Sequence, residues 1–246
     1  MADEHYAQRV LDITARIPET LDQPTVLSLL REGVAALGAE RAVFISFVRQ
    51  ETELSTCRFM LDCDPGWCQR YLEAGFLAQD PWLAYAARQS EPVIASALNV
   101  LDDAQRRVVA LARDAGFAST VLVPAHSAAG HARISVLCLG HSQPGYFEGG
   151  GFAPLRVCAR ALAAELHDWW LARIRRELVV KSRIRPRDLA LLEHECMGHS
   201  SARIAAELHI SRECVNSRFQ RMIAKLGVPN RRTAARLAVD CGLIVR

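Results

Sequence analysis

No apolar run in this chain approaches the eighteen or so residues that a membrane span needs. The opening "MADEHYAQR" also lacks the basic-then-apolar order of a secretion signal. The expected compartment is the cytoplasm, with no membrane partner. Cysteines fall at 57, 63, 68, 138, 158, 196, 214 and 241, with no CxxC pair among them, so a disulfide framework or zinc ribbon is not expected. They read as small buried hydrophobes in a reducing compartment. Catalytic fingerprints are missing too: there is no G-x-S-x-G, no GxxxxGK[ST] and no GxGxxG. The glycine-rich "SQPGYFEGGGF" therefore reads as a loop and not a phosphate cradle, and an enzyme is not expected. In "HECMGH", His194 and His199 stand five apart and miss the shared face that HExxH gives its histidines. That segment reads as a helix end capped by Gly198, and no metal or cofactor is expected.

What is present is a chain of 246 residues, half of them apolar, long enough to bury a core in one large domain or two modest ones. The formal charge of +3 conceals an asymmetry. From Lys181 onward 13 basic side chains face 6 acidic ones, whereas the preceding 180 residues carry 17 against 21. A small basic domain behind a larger acidic one is the expected organisation, and the basic part is a candidate for a polyanionic partner.

Along the chain, amphipathic helices are expected near 4–17 and 24–37, the second with Pro24 in its first turn. The branched and aromatic runs at 41–50 and 52–61 read as a tight hairpin. Asp64-Pro65 and Asp80-Pro81 each supply an N-cap followed by a first-turn proline. A helix over 102–115, strands "STVLVPAHS" and "ARISVLCLG", and a long helix from Pro154 to about 178 complete an α+β domain. Its antiparallel sheet carries helices on both faces. On the long helix Leu155, Leu162, Leu166, Trp169 and Trp170 make either a dimer seam or a packing face. "RRELVVKSRIRP" reads as the linker.

Four short helices, at 186–196, 201–208, 212–226 and 231–241, are expected in the carboxyl-terminal part. The middle pair has helix-turn-helix form, with Ile204, Ala205 and Leu208 facing Val215, Phe219, Met222, Ile223 and Leu226 across the turn "HIS". Ser211 caps the second helix, and Glu213 suits its positive end. Turning the apolar stripe inward leaves Arg212, Asn216, Ser217, Gln220, Arg221 and Lys225 outside. Asparagine and glutamine can pair with adenine edges and arginine with guanine edges. The alternative is a solvated face on a small bundle; the basic balance favours DNA.

The segment "SSARIAAELHISRECVNSRFQRMIAKLGVPNRRTAARLAVDCGLI" resembles the DNA-binding domain of the LuxR family of bacterial transcription regulators. The resemblance rests on Ile204-Ala205, Leu208, Ile210-Ser211, Val215, Lys225-Leu226, Val228, Asn230-Arg231, Ala234 and Gly242-Leu243-Ile244, with Leu192 and Gly198 fitting the preceding helix. Asp188, Cys214 and Arg218 depart from that frame. The departures leave the fold expectation intact and the preferred DNA sequence open.

Upstream, "WCQRYLEAGFLAQDP" resembles the ligand-binding domain of the family's quorum-sensing branch through Trp67, Tyr71, Asp80 and Pro81. Pro92, Gly116 and Pro124 supply further landmarks. The resemblance implies an acyl-homoserine lactone as ligand. Trp67 would donate its indole N–H to the lactone carbonyl, Asp80 would accept the amide N–H, and Tyr71 would add a hydroxyl and a ring wall. Trp82, Tyr85, Cys63, Ala95, Thr120 and Ser135 join the candidate ligand-binding set. Cys63, Ala95 and Thr120 stand where many relatives have tyrosine, tryptophan and glycine, and the register at Ser135 is open by one residue. The residues alone equally allow Trp67 and Tyr71 as a core pair and Asp80 as a plain cap.

Together these features give domains at 1–175 (ligand binding and dimerisation), 176–184 (linker) and 185–246 (four-helix DNA-binding domain). Expected partners are an acyl-lactone signal, promoter DNA, a second copy of the chain and, as a candidate contact, RNA polymerase. The rivals are a LuxR-type regulator that is ligand-independent or answers another molecule, an enzyme, which hydrolysis of a lactone by the purified protein would reveal, and a module that blocks other regulators by heterodimerising.

Overall fold

The structure, a computed structural model, describes residues 2–48, 57–127, 133–149 and 151–244. The chain divides into two compact units, with the main boundary between Trp169 and Trp170. Among the described residues no helix is long and apolar enough to cross a membrane.

The first unit opens with α1 (Ala2–Ala15) and α2 (Gln23–Ala36). Asp22 accepts from Thr25 N–H at 2.9 Å, and Pro24 sits in the first turn as expected. Five strands follow: β1 (Arg41–Val48), β2 (Arg58–Asp62), β3 (Val93–Ile94), β4 (Ser119–His126) and β5 (Arg133–His141). They form an antiparallel sheet in the order β2-β1-β5-β4-β3. β1 and β2 pair with Ala42 opposite Asp62 and Ser46 opposite Arg58. The tight turn expected between them falls on 49–56, outside the described residues. The two-residue β3 follows Pro92 and offers too short a pattern to stand out in the sequence.

Between strands lie α3 (Pro65–Glu73), α4 (Pro81–Ala86) and α5 (Asp103–Asp114). Each starts where an aspartate caps it: Asp64, Asp80 and Asp102. These three helices cover one sheet face, where Val43, Ile45, Leu122, Val136 and Cys138 pack against Trp67, Tyr71, Trp82, Leu83, Val108 and Phe117. The other face carries α2, against β1 and β2, and α6 (Phe152–Ser182), whose His167 meets Ser135 of β5 at 2.8 Å. A Cβ added at Gly33 of α2 would lie 2.9 Å from Leu162 Cδ2 of α6, so these helices touch because glycine removes the obstacle. Leu155, Leu162, Leu166, Trp169 and Trp170 are all buried within the single chain, which makes them a packing face. α6 also continues through the stretch expected as linker, since nothing from Arg175 to Ser182 breaks a helix.

The second unit contains α7 (Pro186–Cys196), α8 (Ser201–Glu207), α9 (Arg212–Leu226) and α10 (Arg231–Asp240). Ser200, Ser211 and Asn230 cap the last three through side-chain oxygens. The core joins Leu191, Leu192, Ile204, Val215, Phe219, Met222, Ala234 and Val239. Between α8 and α9 the chain turns at His209, φ 53°, a left-handed conformation that histidine tolerates better than branched residues do. All eight cysteines are free thiols. Burial pushes the Cys63 thiol up to about 12, so it stays protonated near neutrality.

On β5, a Cβ added at Gly140 would meet Cε1 and Cγ of the buried Phe117 ring at 2.8 Å, closer than carbons pack. Gly140→Ala is therefore expected to destabilise the first unit by about 1–3 kcal/mol, read by denaturant unfolding. An unchanged midpoint would mean that Phe117 swings aside freely.

Candidate functional site

Asp80 begins α4, and its side chain is 5 % exposed beneath the apolar layer between α3, α4, α5 and the sheet. Its Oδ1 accepts from the N–H groups of Trp82 at 2.7 Å and Leu83 at 3.3 Å, while Tyr71 donates its hydroxyl to Oδ2 at 2.7 Å. Burial raises the Asp80 pKa above the usual carboxylate range, and the three donors work against that shift. Tyr71 is pushed far upward by burial and then by the neighbouring carboxylate, so it remains a hydroxyl donor.

Trp67 stacks obliquely on Tyr71 and Phe117, with centroids 5.3 and 6.0 Å away. Its indole N–H is buried and finds no acceptor among the described residues. An unpaired donor of that kind costs about 1–3 kcal/mol, so its presence asks for a partner. Trp67, Tyr71, Asp80, Trp82, Leu83, Val43, Ile45, Val108, Ala112, Phe117 and Cys138 line one internal cavity. As packed, it has room for about one water molecule.

Of the nine ligand candidates, Trp67, Tyr71, Asp80 and Trp82 converge here. Cys63 and Ala95 pack at the edge of the same apolar cluster without lining the cavity. Thr120 is buried on β4 and donates to the Phe117 carbonyl at 3.0 Å. The structure does not bring Tyr85 or Ser135 to the cavity. The Tyr85 hydroxyl turns to the Glu91 carbonyl at 2.8 Å. Ser135 alternates with Ile134 and Val136 and so faces α6, where His167 holds it. The register open by one at that strand resolves against the pocket, because one step along a strand reverses the side chain. The aliphatic lining from Val43, Ile45, Val108 and Ala112 escaped the sequence reading, since nothing local separates a cavity wall from ordinary core.

In the second unit Arg212, Asn216, Ser217, Gln220, Arg221 and Lys225 are all exposed along α9. Asn216 is tethered: Ser201 donates to its Oδ1 at 2.9 Å, and Arg231 donates to the Ser201 hydroxyl at 3.0 Å. Arg203, Arg231 and Arg236 are paired with Glu207, Glu195 and Asp240. Among the described residues no ion pair engages Arg212, Arg221 or Lys225. Arg218, singled out in the sequence only as a departure from the family frame, lines a cleft with Arg185, Arg187, Asp188, Arg221 and Lys225. The unit therefore presents a capped helix with exposed polar hydrogen-bonding groups flanked by cations without ion pairs, the arrangement suited to bases and phosphates.

Comparison with known proteins agrees with both halves. Residues 22–168 match the family described as "Autoinducer binding domain". Residues 172–238 match "Bacterial regulatory proteins, luxR family". The chain is a LuxR-family regulator with an autoinducer-binding domain. Such regulators act by binding and are not enzymes, so the regulator's two sites are for a small-molecule signal and for DNA. The solved structure "SdiA in complex with octanoyl-rac-glycerol" is similar at 18 % identity, covering 96 % of each chain with a TM-score of 0.70. SdiA of Escherichia coli in another crystal matches at 17 % identity over 96 % of this chain and 98 % of that one, TM-score 0.72. CepR2 from Burkholderia cenocepacia, described as an N-acylhomoserine lactone dependent LuxR family factor, matches at 19 % over 71 % of this chain and 99 % of its own, TM-score 0.56. These likenesses establish shared fold. No curated protein matches.

The buried carboxylate gives the regulator a pH signature. Because the folded chain holds the Asp80 proton more tightly than the unfolded chain, this group's stabilisation is fullest below the unfolded value of about 4. It declines as pH rises from there towards the raised folded value. Asp80→Asn keeps acceptors for Trp82 and Leu83 but removes the charge, so the thermal midpoint of the variant relative to the parent is expected to climb with pH across that window. A constant difference would place the Asp80 charge in water.

Proposed function

We propose that this regulator binds an acyl-homoserine lactone in the cavity beside Asp80 and, as a homodimer, an inverted-repeat promoter site in the cytoplasm, where it contacts RNA polymerase. The observation that carries the ligand reading is the buried, unpartnered Trp67 indole N–H in a cavity that also contains Asp80. An ionised carboxylate offers about four acceptor positions. Three are used by Tyr71, Trp82 and Leu83, which leaves one for an amide N–H. Trp67 meets the lactone carbonyl, and Val43, Ile45, Val108, Ala112 and Phe117 surround the start of the tail. Ligand occupancy then completes the core of the first unit and stabilises it by mass action. The lactone dependence given for CepR2 supports this choice of signal.

The tight cavity favours a second reading. Room for about one water means that any acyl chain enters only by moving packed side chains. A regulator that needs no signal fits that packing, whereas one that takes another amphipathic acyl compound, such as the octanoyl-glycerol bound to SdiA, must open the cavity as a lactone would. A thermal-shift panel of lactones of graded tail length plus octanoyl-glycerol separates the two. At a hundredfold excess over Kd a cognate lactone should add about 2.7 kcal/mol. That gain should vanish in Asp80→Asn; stabilisation by acyl-glycerols alone, or by nothing, transfers the conclusion to the second reading.

For DNA, two recognition helices about one duplex turn, roughly 34 Å, apart read an inverted repeat. The exposed α9 face supports base contacts from Arg212 and Asn216, with Ser217 and Gln220 alongside and Arg221 and Lys225 on phosphates. Arg212→Ala and Asn216→Ala should each cost about 1–3 kcal/mol at one base position in competition binding. Equal weakening on every sequence would reassign both to the backbone.

A further inference from the structure

The carboxyl end of α7 carries a cluster that neither the signal nor the DNA explains. The helix closes at Met197 and Gly198, the latter at φ +74°. His199 N–H donates to the His194 carbonyl at 3.0 Å and Gly198 N–H to the Glu195 carbonyl at 2.9 Å. In this left-handed helix stop the residue after glycine folds back onto the residue five before it, a contact that is usually apolar. Here it joins two imidazoles, with their Nδ1 atoms 2.9 Å apart. The five-residue spacing fails to align histidines on a straight helix, but the chain has left the helix by Gly198.

A third donor comes from Glu207, the last residue of α8. Its Oε2 stands 3.3 Å from His194 Nδ1 and 3.7 Å from His199 Nδ1. Arg203 Nε holds its other oxygen at 2.7 Å and so fixes the direction of the carboxylate. The three edges define a circle of about 1.9 Å radius through the donors, so a point just off their plane lies about 2.0–2.1 Å from all three, the usual zinc distance to nitrogen and oxygen.

We propose that His194, His199 and Glu207 form a binding site for a divalent transition-metal ion of the zinc class. Two imidazoles and one carboxylate suit such an ion, whereas magnesium and calcium favour oxygen alone. The imidazoles are 12 % and 11 % exposed and Glu207 39 %, so the ion is backed by protein and keeps an open side for water as fourth ligand. Without metal, one proton between the two Nδ1 atoms makes the short contact a hydrogen bond; the ion takes that proton's place. Arg203 acts as the outer partner that positions a ligand. The bound ion ties the end of α7 to the end of α8, four residues before Ser211 caps the recognition helix, and stabilises the DNA-binding unit whether or not the first unit has a signal.

The test uses the full chain, stripped with a chelator and titrated with zinc and with cobalt(II). One equivalent of cobalt is expected to give visible d–d bands without a sulfur-to-cobalt charge-transfer band, and zinc is expected to raise the thermal midpoint. His194→Ala, His199→Ala and Glu207→Gln should each weaken zinc binding at least tenfold. Glu207→Gln alters a partly exposed side chain and keeps its shape, and circular dichroism of each apo variant confirms folding. A thiolate band in the cobalt spectrum, zinc affinity unchanged in Glu207→Gln and in both histidine variants, or no bound cobalt in the parent would each overturn the assignment.

Discussion

A carboxylate sealed under apolar side chains is the constraint around which the first unit is arranged. Asp80 must have its oxygens satisfied, because an unpaired buried charge is among the most destabilising groups a core can hold. Two backbone N–H groups come from the α4 turn it caps, and the third donor comes from Tyr71 on α3. Helix placement follows: α3 and α4 must meet at this point for the carboxylate to be buried at all. Trp67, one turn before Tyr71, is then held against Phe117 with its N–H enclosed. The same packing that solves the Asp80 problem creates the Trp67 one.

A buried acceptor with three donors beside a donor with no partner among the described residues is not the pattern of a polar core network. A network evolved only for stability would close both ends, since each open end loses about as much as a hydrogen bond supplies. Open polar groups in an apolar enclosure are the general mark of a small-molecule site. Here the aliphatic side chains wall the cavity, and Trp67 and Asp80 are its polar groups. The cavity's tightness means that affinity depends on how cheaply Phe117, Leu83 and their neighbours yield as well as on the contacts they make.

Much of this was legible in the sequence wherever a local rule decides the outcome. Asp64-Pro65, Asp80-Pro81 and Ser211 announced helix starts because capping needs only neighbouring residues. The face of α9 was legible because 3.6-residue periodicity sorts inside from outside. Failures fall where the answer lies beyond the local window. Ser135 depended on strand register, which its partners Ser46 of β1 and Ala125 of β4 fix from ten or more residues away in sequence. Tyr85 depended on a carbonyl six residues on, and α6 ran past its expected end because the chain offers no breaker there. His194 and His199 depended on a backbone turn whose hydrogen bonds were foreseen as a cap, while its effect on side chains was not.

The two halves use polar residues in opposite ways, and the charge split along the chain expresses that. In the first unit the polar groups of the cavity are few and buried, and they act through single hydrogen bonds made or left open, so net charge matters little to them. In the second they are exposed, and their value comes from being left unneutralised: Arg203 and Arg236 pair with acids of their own helices and Arg231 bridges α10 to Glu195 of α7, which leaves Arg212, Arg221 and Lys225 for an outside anion. Asn216 belongs between these regimes, since the Ser201 and Arg231 chain fixes its rotamer while its amide stays at the surface. Fixing Asn216 while Arg212, Arg221 and Lys225 carry no ion pair among the described residues spends conformational entropy where hydrogen-bond geometry matters and avoids spending it where only charge is required.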